Sequence, residues 1–208
     1  MDEKYRFTIV RHGQTPGNSS NRYLGITDED LNSIGVQQAR NAAQFLLQCR
    51  KSFDICFSSP LLRCVHTANI LKTKMNFDYL IEPKLRERNY GVFEGLTRDE
   101  VKQKYPDLLQ QYNQNKARMI LPQGESALDV ESRIHSFLWE DLPQKFSSAR
   151  SVLLITHLNP LRAILRLLKL KTWDIYYTKF QNASITQIHT DLQVSELVLF
   201  NKTPANSP

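Results

Sequence analysis

The sequence predicts an α/β fold, a three-layer α/β/α sandwich with a mostly parallel sheet and a small helical lobe over the active site. Short apolar runs that suit buried strands alternate with segments of helical periodicity along most of the 208 residues. The run Ser151–Thr156 is continuously apolar in the way of a strand that is buried on both faces. Since no repeat or linker divides the sequence, we expect one domain over residues 1–200 and a disordered tail at 201–208.

Each element follows from local pattern. Runs rich in β-branched and aromatic residues predict strands at residues 5–10, 53–57, 79–81, 151–156, 183–189 and 194–200. Helical spacing predicts helices at residues 31–49, 60–74, 97–105, 107–117, 125–139 and 160–170. For the second helix, Ser59 is the expected N-cap and Pro60 the first residue. For the first, the expected buried positions are Ile34, Ala39, Ala42, Ala43, Leu46 and Leu47. Residues 97–118 are the best candidate for the lobe.

Bulk composition narrows the class of protein. A net charge of +6 suits anionic substrates as well as it suits nucleic acid or a membrane surface, so it decides little. The N-terminus lacks an apolar stretch of signal-peptide length, and three cysteines are too few for a disulfide framework. We expect a soluble cytoplasmic protein that binds no membrane.

Two histidines occupy equivalent places, each just past the C-terminal end of a predicted strand. His12 follows the first strand, and His157 follows the run Ser151–Thr156. Ligands of open α/β sheets bind at the carboxyl ends of the strands, so the pair marks a candidate site. Arg63, one turn into the second predicted helix, would lean toward its N-terminus, where an anion is favoured. On spacing alone Arg63 suits a surface position equally well.

An ordered series of motifs carries a family resemblance. The series comprises Arg11-His12-Gly13 with Asn18, residues 25–31, Gly35, Gln38-Ala39, residues 58–63 with Thr67-Ala68, residues 85–91, Glu94-Gly95, residues 124–126 and Thr156-His157. In this order the motifs resemble the histidine phosphatase (phosphoglycerate mutase-like) superfamily, its phosphatase branch in particular. The resemblance covers nearly the whole chain.

The resemblance implies a role for each catalytic position. His12 would be the nucleophile that accepts the phosphoryl group, and Glu87 would be the general acid and then the general base. Arg11, Arg63 and His157 would surround the phosphoryl oxygens. The two arginines should lower the pKa of His12 and keep its imidazole neutral. With cationic side chains at the phosphate and no cluster of metal ligands in the sequence, no cofactor and no metal are expected.

The resemblance also implies substrate-binding residues, namely Asn18, Gly25, Tyr90, Arg98 and Leu158. The sequence departs from the family after the second histidine, where Leu158-Asn159-Pro160 stands in place of a common Gly-Gly. The backbone N–H of Leu158 can still donate to a phosphate, since that needs no glycine. The departure therefore bears on the shape of the substrate.

Three functions stay open at this point. The first is a phosphatase acting on a small phosphomonoester such as a sugar phosphate. The second is a cofactor-dependent phosphoglycerate mutase, although Gln114-Asn115 stands where that branch has paired arginines. The third is an inactive relative that binds phosphorylated partners, against which the filled catalytic positions argue. We expect a small phosphorylated metabolite as partner, no nucleic acid, and a monomer or homodimer. The basic run Arg162, Arg166, Lys169 and Lys171 is interpreted as a solvated face, and His66, His135 and His189 as structural or solvated.

Overall fold

A computed structural model describes residues 5–170, 175 and 178–204 and contains one six-stranded sheet. Its strands, numbered along the chain, are β1 (Tyr5–Arg11), β2 (Ile55–Ser58), β3 (Leu80–Ile81), β4 (Ser151–Thr156), β5 (Ile185–Thr190) and β6 (Ser195–Lys202). Their order across the sheet is β3-β2-β4-β1-β5-β6. The first four in this order pair in parallel, whereas β5 and β6 add antiparallel pairs at one side. This confirms the mostly parallel sheet.

Helices cover both faces of the sheet. They are α1 (Pro16–Ser19), α2 (Ser33–Gln48), α3 (Leu62–Met75), α4 (Arg98–Lys104), α5 (Pro106–Gln114), α6 (Ala127–Ser136), α7 (Leu142–Lys145) and α8 (Leu158–Leu167). Alternate side chains of β4 enter two different cores: Leu154 packs with α6 and α8, and Leu153 packs with α2 and α3. Strand β4 is buried on both faces, as its apolar sequence predicts, and its bounds are those predicted.

A third, smaller core lies in α4, α5 and the segments around them. Its buried members are Phe93, Val101, Leu109, Tyr112 and Leu121. The buried guanidinium of Arg88 ties this lobe together by donating to the backbone carbonyls of Glu125, Lys116 and Met119. In the sequence analysis Arg88 appeared only as a member of the motif at residues 85–91.

The predicted burial of α2 is wrong at two positions. Ile34 and Leu47 are 56% and 46% exposed, whereas Gly35 is buried. A side chain at residue 35 would collide with the backbone of Gln14, so the helix approaches the site loop closely only because a glycine stands there. The buried face of α2 consists mainly of small residues, and Ile34 and Leu47 lie outside it.

The start of α3 also differs from the prediction. The helix begins at Leu62, because Asp28 from a distant loop accepts a hydrogen bond of 2.7 Å from the N–H of Leu62. Ser59, the expected N-cap, instead has its hydroxyl 2.7 Å from His157 Nε2. Arg63 therefore lies in the first turn of α3 rather than one turn in.

At the C-terminal end, β6 continues to Lys202, so Asn201 and Lys202 belong to the sheet and not to the predicted tail. Residues 203 and 204 lie outside any element, with Pro204 buried, and the remaining residues of the predicted tail, 205–208, lie outside the described residues. In the described part of the chain, no helix is both long and apolar enough to cross a membrane.

The interpretation of the basic run that begins at Arg162 as a solvated face is partly wrong. Arg162 is half-buried and donates to the carbonyl of Thr178, and Arg166 forms an ion pair of 2.6 Å with Glu131. Lys171 lies outside the described residues. Of the histidines set aside from the site, His66 pairs with Asp30 and His135 stacks on Trp139.

Candidate active site

The two predicted histidines meet at the carboxyl ends of the central strands. Strands β1 and β4 are parallel neighbours, and Arg11 stands opposite Thr156 in their register. His12 and His157 follow directly, with ring centroids 5.1 Å apart. Both side chains are buried, so the structure brings together the pair that the sequence marked.

The hydrogen bond of His12 fixes which ring nitrogen can react. Nδ1 lies 2.7 Å from the backbone oxygen of Gly13, and a carbonyl can only accept, so Nδ1 carries the proton. The lone pair is then on Nε2. Burial lowers the pKa of His12 well below its usual value, and the charges of Arg63 and Arg11 lower it further. The hydrogen bond and the lowered pKa together favour a neutral imidazole with its lone pair on Nε2.

Arg63 is fully buried and aligned by three acceptors. Its Nε donates to His157 Nδ1 at 3.2 Å, Nη1 to the oxygen of Thr27 at 2.9 Å, and Nη2 to the oxygen of Gly25 at 2.6 Å. A side chain at Gly25 would collide with the carbonyl of Arg88. The carbonyl of Gly25 thus helps to hold Arg63, and the predicted contact of Gly25 with substrate stays a prediction.

The tautomer of His157 follows from Arg63. Because a guanidinium only donates, Nδ1 of His157 accepts, and its proton lies on Nε2, which donates to Ser59 Oγ. Burial, then the charge of Arg63, lowers the pKa of His157 well below its usual value. The lowered pKa favours the neutral form of His157, and both of its ring nitrogens have protein partners. Sequence reasoning missed the contact with Ser59. Cys64 Sγ also lies 3.3 Å from Nε2.

Arg11 is the second guanidinium of the site. It donates to the oxygen of Phe180, and its buried Nε has no hydrogen-bond partner among the described residues. Burial lowers its pKa to about 10, with the charge of Glu87 opposing. A buried cation with an unpaired donor is suited to an anionic ligand.

The side chain of Glu87 lies against the N-terminal end of α8, and the residue is almost wholly buried. Its carboxylate accepts from the N–H groups of Arg88, Leu158 and Asn159, at 2.8, 3.1 and 3.1 Å. The N–H of Leu158, expected to donate to a phosphate, is directed at Glu87 in this structure. The helix terminus thus holds the carboxyl group that sequence analysis singled out.

Asn159 is a site residue that sequence analysis missed. Its Nδ2 donates to Glu87 Oε1 at 3.0 Å and to the Tyr90 hydroxyl at 2.9 Å. Tyr90 in turn packs against the core of the lobe, and burial raises the pKa of Tyr90. A chain of hydrogen bonds therefore joins the lobe to Glu87 through the residue where the family motif is broken.

The remaining predicted residues lie at different distances from this cluster. Asn18 is in α1, where its Oδ1 accepts from Asn182, whose Nδ2 also donates to the backbone oxygen of His12. Arg98 is exposed at the start of α4, on the rim of a surface groove beside Pro106 and Gln114. A substrate contact for either residue stays a prediction.

The fold and this geometry agree with the comparison to known families. Residues 7–203 match the histidine phosphatase superfamily (branch 1), and the protein belongs to that family. The predicted family is confirmed.

Individual relatives include both phosphatases and mutases. The chain is 33% identical over 201 residues, 95% of each chain, to a Hydrogenobacter thermophilus protein provisionally named phosphoserine phosphatase 2. It is also 33% identical over 160 residues to a 2,3-bisphosphoglycerate-dependent phosphoglycerate mutase of Rhizobium etli, covering 75% of this chain and 76% of the mutase. A mycobacterial glucosyl-3-phosphoglycerate phosphatase has a similar structure, with a TM-score of 0.82, 27% identity and coverage of 95% and 99%.

Proposed function

We propose that this protein is a small-molecule phosphatase that hydrolyses phosphomonoesters through a phosphohistidine on Nε2 of His12. The observation that carries the proposal is the state of His12, a neutral imidazole with its Nδ1 proton bound to Gly13 and two arginines close by. A neutral nitrogen with a fixed lone pair, beside fixed cations, suits attack on a phosphorus atom.

In the first step, Nε2 of His12 forms a bond to phosphorus as the bond from phosphorus to the ester oxygen breaks. Glu87, in its protonated form, gives a proton to the departing oxygen, which leaves as an alcohol. Arg11 and Arg63 stabilise the negative charge that spreads over the phosphoryl oxygens in the transition state. Their guanidinium groups are already aligned, so little reorganisation is needed.

In the second step, water replaces the alcohol. Glu87, now ionised, takes a proton from the water molecule. The water oxygen attacks phosphorus at the same time, and the bond from phosphorus to Nε2 breaks. Inorganic phosphate and the neutral imidazole result, and Glu87 is protonated again. The connection of Glu87 to Tyr90 through Asn159 supports this role, because it keeps the carboxyl group in one place through both steps.

Because arginine side chains can neutralise the charge on the phosphate, we propose that catalysis needs neither a metal nor a cofactor. Activity toward para-nitrophenyl phosphate should survive exhaustive chelation and should be inhibited by vanadate, which mimics a pentacoordinate phosphorus. Loss of activity on chelation, restored by a divalent cation, would contradict the proposal. No turnover by the wild-type protein at all would instead favour the inactive relative.

The mutase is the second candidate, because a mutase is among the relatives at 33% identity. A mutase must exclude water while the bisphosphate reorients, and it must hold the substrate carboxylate. Gln114, at the end of α5, stands where that branch has one of its paired arginines. With 3-phosphoglycerate and catalytic 2,3-bisphosphoglycerate, we expect more free phosphate than 2-phosphoglycerate. Isomerisation faster than phosphate release would favour the mutase.

A further inference from the structure

A cavity of about 190 Å³ lies at the end of the sheet opposite to His12. It opens at the start of β1, where Arg6 is the second residue, whereas His12 follows the last residue of the same strand. At about 3.3 Å per residue, the two ends are on the order of 20 Å apart. The cavity is therefore separate from the candidate active site.

The polar side chains that line this cavity are cations and neutral groups that can donate hydrogen bonds. The lining side chains that could contact a ligand are Arg6, Thr8, Arg50, Lys51, Gln187 and His189. The lining contains no carboxylate. Asp54 lies near Arg6, but the backbone N–H groups of Ser151 and Arg150 hold its pKa below the usual value, and the charge of Arg6 adds to this. The neighbouring carboxylate is thus already bound by backbone amides.

The strand register directs the polar side chains to the same face. Arg6 stands opposite His189, and Thr8 stands opposite Gln187, so these four side chains project from one face of the sheet. Arg50 and Lys51 reach the cavity from the turn that ends α2, where their N–H groups donate to Leu47 and Leu46. Two independent parts of the fold therefore supply positive charge to one cavity.

Gln187 gives a second, independent indication of a ligand. Its side chain is 8% exposed, and its Nε2 has no hydrogen-bond partner within the described ranges 5–170, 175 and 178–204. A buried amide without a partner is unfavourable, so such groups are rare unless a ligand or ion completes them. Gln187 is among the residues that line the cavity that the cations surround, although its Nε2 atom is itself closed to solvent.

We propose that this cavity, the rear anion site (Arg6, Arg50, Lys51, Gln187 and His189), binds a small oxyanion: inorganic phosphate or the phosphate group of a small metabolite. A phosphate offers several acceptor oxygens to the charged donors and to the Gln187 amide. The cavity is smaller than the roughly 300–1,000 Å³ of typical small-molecule pockets, which favours a compact anion. The inference does not depend on the proposed function.

The test is a titration of the isotope-labelled full-length protein with inorganic phosphate, followed by NMR. The side-chain amide of Gln187 and the backbone N–H groups of Thr8 and Ser52 report on the rear anion site, and Gly13 reports separately on the catalytic end. We expect saturable shifts at the rear site with a Kd on the order of 1 mM, and none of similar size with chloride at equal ionic strength. A parallel titration with a phosphonate that the enzyme cannot hydrolyse distinguishes free phosphate from a phosphorylated metabolite.

Two variants and a matched control make the test specific. Arg50→Ala/Lys51→Ala should weaken phosphate binding at the rear site by about tenfold or more, because charge-assisted hydrogen bonds are lost. The control Arg40→Ala/Lys74→Ala removes the same charge from exposed positions on α2 and α3 and should leave the rear Kd unchanged. Gln187→Leu should weaken binding while keeping or raising the Tm, because it removes an unpaired buried donor.

Several outcomes would overturn the proposal. They are shifts at the rear site that chloride reproduces, an absence of saturation, or equal weakening by the control pair. Wild-type affinity in Gln187→Leu, read at Thr8 and Ser52, would do the same. If Arg50→Ala/Lys51→Ala does not fold, Gln187→Leu still decides, since it replaces the amide with an apolar group of similar size.

Discussion

Cationic side chains lie at both ends of the central strands, but the cations at the two ends differ in burial and in hydrogen bonding. At the catalytic end, Arg63 is fully buried, and its nitrogens donate to two backbone carbonyls and to His157. At the rear end, Arg6, Arg50 and Lys51 are exposed. Fixed charge at the first end suits the proposed stabilisation of a transition state, and exposed charge at the second suits the proposed binding of an anion that comes and goes.

The largest expected effect comes from removing a fixed cation at the catalytic end. Arg63→Met should lower kcat by about a thousandfold or more, because a preorganised positive charge acts directly on the phosphoryl oxygens. Steady-state kinetics with para-nitrophenyl phosphate measures this, with Arg40→Met as the exposed control. A loss of less than about tenfold would mean that buried cations at this end do not act on the transition state.

Substitution of the acid should have an effect that depends on the leaving group. Glu87→Gln should slow hydrolysis of an alkyl phosphate by about 10²–10⁴-fold but that of para-nitrophenyl phosphate much less, since only a poor leaving group needs a proton. Single-turnover rates on both substrates provide the comparison. Equal losses would remove Glu87 from the role of general acid.

Asn159→Leu should weaken the link between the lobe and Glu87, and it should lower the rate less than Glu87→Gln does. We expect about a tenfold slower reaction of the alkyl phosphate and little further loss in the Glu87→Gln background, because the two residues act as a unit. Val130→Ala, a core change away from the site, serves as a control for lost stability. Additive effects in the double variant would show that Asn159 does not act through Glu87.

The smallest effect concerns stability against pH. His12 and His157 have depressed pKa values in the folded protein, so below about pH 6.5 the unfolded chain binds more protons than the folded one. The free energy of unfolding should therefore decrease as the pH is lowered, by up to about 1.4 kcal/mol per pH unit for each histidine. Urea unfolding at pH 7, 6 and 5 should show a shallower slope for His12→Gln. Equal slopes would contradict a neutral, buried His12.

The sequence predicted most of the features that local pattern decides. The strand at Ser151–Thr156 has the predicted bounds because its apolar run is buried on both faces. The start of α3 could not be predicted, because the acceptor for Leu62 is Asp28, which is remote in sequence. Long-range contacts override the local signal of Ser59-Pro60 in such cases.

The same reason explains which site residues were found. His12 and His157 lie at strand ends, which sequence can locate. Asn159 and Ser59 contribute through contacts with Glu87 and His157, and no sequence signal besides the broken Gly-Gly motif pointed to Asn159. A motif that departs from its family beside a predicted catalytic residue is the signal that could have been used.

The central claim is that His12 Nε2 carries the phosphoryl group at the catalytic end. Rapid quenching in base with a radiolabelled phosphomonoester should trap a phosphoenzyme that is stable in base and labile in acid. Peptide mapping should place the label on His12, phosphorus NMR should assign it to Nε2, and His12→Ala should show no label. Label on Nδ1 or on a serine, cysteine or aspartate, or turnover with no trapped phosphoenzyme under single-turnover conditions, would contradict the account.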